Sequence, residues 1–151
     1  MADLCLASHC AGYMVFKGTL DKHPTVKRIY DRCMADDRFF DIFYDRFVAS
    51  SPAVADRFRH TDDRRQKKAV RASLYLIMSC AARTEPDYAM LEPLAQRHSR
   101  RQLDIGPELY RLWLDSLIES VRTCDPRFDP TIERVWRDAM QHAIDFLVSR
   151  Y

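Results

Sequence analysis

The sequence predicts an all-α fold, and three observations carry that prediction. Glycine is scarce, with three residues in 151. That is too few for the hairpin turns of a β-protein or the glycine-rich loop of a dinucleotide-binding sheet. Apolar residues recur at intervals of three and four through most of the chain, the period of helices with one buried face. Prolines and aspartates stand where one such period stops and the next begins, as helix boundaries require.

Residues 1–22 show no clear period and contain Gly12 and Gly18. They read as an extension ahead of a domain over 23–151, and little buried area is expected to depend on them. Cys5, His9 and Cys10 lack a second ligand pair downstream and make a poor zinc site. Leu4 to Phe16 is fairly apolar, but Asp3, His9 and the missing basic lead argue against a cleaved signal peptide. Pro24 then opens a helix to about Ala35, with Val26, Ile29, Tyr30 and Cys33 on one face. Asp36 and Asp37 supply an N-cap for a helix from Phe39 to about Ser50, where Phe39, Phe40, Phe43, Tyr44 and Phe47 form an aromatic stripe. Ser50-Ser51-Pro52 stops that helix and starts a short one ending at Phe58. Thr61-Asp62-Asp63 caps the next, about Asp63 to Arg83, with an apolar face of Val70, Leu74, Ile77 and Ala81.

Thr84-Glu85-Pro86 breaks the chain, and a helix from about Asp87 to Arg100 carries Leu91, Leu94 and His98 on one face. Ile105-Gly106-Pro107 is a further break, with Pro107 opening a helix to about Thr123. Asp125-Pro126 and Asp129-Pro130 punctuate before a last helix, about Thr131 to Ser149. Its buried stripe reads Ile132, Val135, Trp136, Ala139, Met140, Ala143 and Leu147.

The length suits one domain with a full core. Twenty-four Lys+Arg against 22 Asp+Glu leave a net charge of +2, without the basic excess of a nucleic-acid binder. No apolar run approaches the ~20 residues of a membrane span. The five cysteines, odd in number and scattered, suit a reducing compartment, so a cytoplasmic location is expected.

Phe39-Phe40-x-x-Phe43-Tyr44-x-x-Phe47, then Ser51-Pro52, Phe58, Gln66, Val70 and Leu94-x-x-x-His98 resembles a bacterial single-domain globin of the flavohaemoglobin-like kind. The resemblance runs from about Pro24 to Tyr151. It implies the globin fold, a three-on-three helical sandwich around a haem pocket, and a non-covalent haem b cofactor. No Cys-x-x-Cys-His is present for covalent attachment. By the resemblance His98 is the metal ligand, the one axial protein ligand of the iron, with Leu94 one turn earlier under the ring. Phe58 stacks on the haem face, Val70 lies above the iron, and Ile105 and Tyr110 complete the cofactor contacts. Tyr44 and Gln66 are the distal pair, an O–H and an amide donor aimed at the bound gas. If the turn after Phe58 is longer, Lys68 replaces Gln66.

Tyr110 is the candidate for a tyrosine that bonds the proximal histidine in flavohaemoglobins, although it lies about two residues further on. The glutamate that joins that network in the family has no clear counterpart. The implied function is reversible binding of dioxygen, and of gases such as NO and CO, at a five-coordinate iron. No catalytic residue is assigned; an NO-dioxygenase or peroxidase-like activity would need an external reductase, since none follows in the sequence. The alternative is a haem-based gas or redox sensor acting through a partner protein, for which the extension and the free cysteines speak. A monomer or a homodimer fits either reading.

Overall fold

The computed structural model describes residues 24–83 and 87–151. Within them the chain forms α1 (Pro24–Met34), α2 (Phe39–Ala49), α3 (Pro52–Phe58), α4 (Asp63–Ala81), a 3₁₀ turn (Tyr88–Leu91), α5 (Glu92–His98), α6 (Pro107–Cys124) and α7 (Pro130–Val148). No strand occurs among the described residues. The extension, with Cys5, His9, Cys10 and also His23, lies outside them.

Local chemistry sets most of the boundaries. Ser51 accepts the Val54 N–H, Asp62 the Arg65 N–H and Asp129 the Ile132 N–H, so α3, α4 and α7 each start on a side-chain cap. Three elements differ from the sequence expectation. The residue before α2 is Arg38, which makes no cap bond; Asp36 instead accepts the Arg38 N–H, forming a turn ahead of the helix. Helix α4 ends at Ala81, two residues early, where the Ala82 N–H bonds back to the Cys80 and Met78 carbonyls. The single helix expected over 87–100 divides into the 3₁₀ turn and α5. Pro93 explains the division: it stands in the first turn of α5 and lacks the N–H that a continuous α-helix would bond to the Ala89 carbonyl, which instead accepts the Glu92 N–H.

The aromatic stripe of α2 is buried in full. Phe43 meets Trp113 of α6 edge to face at 5.6 Å, and Phe47 meets Phe58 at 5.5 Å. Helix α7 packs on α4, α5 and α6, presenting Trp136, Met140 and Ala143 fully buried, whereas Val135 is only half-buried. Helix α1 is fastened to the far side: Arg32 donates two bonds to the buried Asp125 carboxylate, at 2.8 and 2.9 Å. Helices α4 and α5 stand apart across a gap that α3, α6 and α7 close from other sides.

Candidate functional site

That gap is a cleft with about 100 Å³ of internal space, open to solvent at its mouth. One wall is α4, with Gln66, Val70, Ser73 and Ile77 facing in at steps of four, three and four. Opposite stand Leu94 and His98 of α5. Phe58 closes one end, and Ile105, Tyr110 and Trp113 line the side formed by the start of α6. The structure therefore brings together seven of the eight residues singled out in the sequence: Phe58, Gln66, Val70, Leu94, His98, Ile105 and Tyr110. Tyr44, the eighth, is buried but does not line the cleft. Lys68 is exposed and also stands outside it.

Most of the lining is hydrocarbon, so its few polar atoms decide what the cleft can do. His98 ends α5, and its Nδ1 lies 2.9 Å from the Tyr110 hydroxyl. Burial, helped by nearby Arg97, depresses the imidazole pKa to about 4, so the ring is neutral at pH 7. In the tautomer that carries hydrogen on Nδ1, that N–H donates to the Tyr110 oxygen and leaves the Nε2 lone pair for a ligand role. Burial likewise pushes the Tyr110 phenol well above its ordinary range, so it stays protonated. Gln66 is buried within the wall, and its side-chain amide has no hydrogen-bond partner among the described residues.

The loop after His98 is fixed at several points. Ile105 N–H donates to the His98 carbonyl at 2.9 Å. Asp104 adopts a positive φ of 50°, a conformation that an aspartate tolerates better than most residues. Its carboxylate accepts the Tyr151 hydroxyl at 2.6 Å. Arg57 reaches from α3 to the Leu103 and Asp104 carbonyls at 3.0 and 2.8 Å.

The sequence reading missed Ser73, Arg57 and Trp113. Ser73 is three residues after Val70 and four before Ile77, so the helical period itself places it on the cleft wall. The apolar Leu74 beside it is fully buried and is not part of that wall. Trp113 lies one turn after Tyr110 and could have been found in the same way.

A single neutral imidazole in an apolar cleft is one metal ligand. No cluster of three metal-ligating side chains occurs among the described residues. A metal held at His98 would thus need further donors of its own, as in a macrocycle, and the apolar lining suits the hydrocarbon faces of such a group. No protein-family model matches the chain, and no curated protein matches it significantly. Among solved structures, a protein from Pseudomonas aeruginosa PAO1, described as structurally highly homologous to a human haemoglobin, matches with a TM-score of 0.79. It is 38% identical, over 88% of this chain and 98% of that one.

Proposed function

The chain belongs to the globin-like proteins, and from that premise we propose that it binds haem b in the α4–α5 cleft and takes up dioxygen reversibly there. The observation that carries the reading is His98. Among the described residues it is the histidine lining the cleft, it is neutral, and Tyr110 orients it through Nδ1. When bound, the haem would supply an iron able to take up a diatomic gas.

The residues divide the remaining tasks. His98 would hold the iron through Nε2. Leu94, Phe58, Val70 and Ile105 cover the macrocycle faces with hydrocarbon and keep water out. Gln66 offers an amide donor to a polarised gas molecule, a contact that favours dioxygen over the less polar CO. Of the described cysteines, Cys33 and Cys80 are buried and their thiols are pushed up to about 12 and about 11; Cys124 is shifted in the same direction. They hold little thiolate, which disfavours redox sensing through them and supports the gas-binding reading over the sensor alternative. Among the described residues no helix is long and apolar enough to cross a membrane.

Two experiments test these roles. Gln66→Leu speeds dioxygen release by roughly five- to thirtyfold, the equivalent of about 1–2 kcal/mol for a hydrogen bond to a partly charged group. CO release, measured by ligand replacement, changes much less; equal changes for both gases would assign the effect to shape instead. Tyr110→Phe lowers haem affinity by roughly 10–100-fold, the usual cost of removing the partner that orients a metal-bound histidine. Transfer of haem to an acceptor apoprotein measures this, and a wild-type transfer rate would show that Tyr110 does not hold His98 for the metal.

A further inference from the structure

A tyrosine hydroxyl carries one hydrogen, and that of Tyr44 is already committed. It donates to Asp63 Oδ1 at 3.1 Å. The other nearby group, Thr61 Oγ1, lies at 3.4 Å and gives its own hydrogen to the Phe58 carbonyl at 2.8 Å. Thr61 therefore offers the phenol only a neutral acceptor at long range. A bond to a carboxylate is roughly twice as strong as one to a neutral oxygen, so Asp63 wins the competition.

Two weaker contacts meet the ring. Phe58 meets it edge to face at 5.7 Å, and Lys67 Nζ, itself paired with Asp41, lies 5.4 Å from its centroid. Asp63 belongs to the first turn of α4, three residues ahead of Gln66 and so on nearly the same face. The Tyr44 hydroxyl thus ends about one helical turn from the amide that faces the cleft.

We propose that Asp63 is a positioning residue for the gas site: its carboxylate holds the Tyr44 hydroxyl at the α3–α4 corner, outside the cleft, and leaves Gln66 as the distal donor. The proposal rests on the haem-binding reading above for its functional consequence. Without the carboxylate, the phenol turns inward, becomes a second donor beside Gln66 and tightens dioxygen binding. Asp63 thereby sets the affinity without touching the gas.

The test compares wild type, Tyr44→Phe, Asp63→Ala and the double variant. In haem-loaded protein, Tyr44→Phe alone leaves dioxygen release within about twofold of wild type. Asp63→Ala slows release about fivefold, the effect of gaining one hydrogen bond, and adding Tyr44→Phe abolishes the slowing. The C–O stretching frequency of the carbon monoxide form moves in Asp63→Ala and returns in the double variant, a signature that a merely structural role for Asp63 would not produce. In the haem-free chains, each single change lowers Tm by about 3 °C and the double change lowers it no further, because both remove one bond. Faster release from Tyr44→Phe alone, or no slowing in Asp63→Ala, overturns the proposal. A chain that takes up no haem overturns the reading beneath it, while additive Tm losses in the haem-free set would refute the Tyr44–Asp63 bond itself.

Discussion

Replacing His98 by alanine yields a chain that holds little or no haem and, prepared with haemin present, melts roughly 10 °C below wild type. Wild type gains stability from the cofactor by mass action, about 3–4 kcal/mol when free haem exceeds its dissociation constant by a hundred- to thousandfold. For a domain of this size each kcal/mol moves Tm by a few degrees. The variant loses the neutral imidazole that faces the cleft and so loses the gain. Compared without haemin, the two chains melt within a few degrees of each other, since His98 contributes one hydrogen bond, to Tyr110, through its side chain. Calorimetry with and without haemin separates the cases. Full haem retention with an unchanged absorption spectrum would remove His98 from the iron.

The second large effect lies far from the cleft. Asp125→Ala lowers stability by roughly 2–3 kcal/mol, because it strands the Arg32 guanidinium after the loss of two bonds and releases the Arg127 N–H. Burial by itself would raise the Asp125 pKa, but Arg32 and the Arg127 N–H together outweigh it and hold the carboxyl below the usual range. A depressed folded-state pKa contributes stability that is present above the unfolded value of about 4 and is lost as pH falls through the folded value. Urea titrations of wild type and variant therefore converge as the pH drops below about 4. A gap that stays constant down to strongly acid pH would mean that packing, rather than the ion pair, joins α1 to the α6–α7 turn.

Much of this architecture was legible because its signals are local. Pro24, Pro52, Pro107 and the aspartates at 62 and 129 mark helix starts by their own backbone chemistry, and each start falls at or beside the expected position. The resemblance to single-domain globins puts Gln66, Val70, Leu94 and His98 at the cleft, and helical spacing agrees with it. What escaped the sequence depends on contacts between elements. Pro93 divides the segment before His98, although the apolar spacing of Leu91, Leu94 and His98 continues across the division. Ser73 lies on the helical step from Val70 to Ile77, but only the packing of Leu74 into the core shows that the serine, not the leucine, faces the cleft. The aromatic spacing of α2 buries Tyr44 but is silent on its hydroxyl, whose acceptor comes from a helix that begins nineteen residues later. Arg57 is similarly opaque, since its partners are carbonyls 46 and 47 residues further along.

The central claim is that the α4–α5 cleft binds one haem through His98, and an absorption titration of the haem-free chain with haemin tests it most directly. The account predicts a Soret band that grows linearly and saturates at one haem per chain, followed on reduction by the spectrum of a five-coordinate, histidine-ligated ferrous haem. A titration that shows no saturation, or a reduced form whose spectrum is the same in His98→Ala, would contradict it.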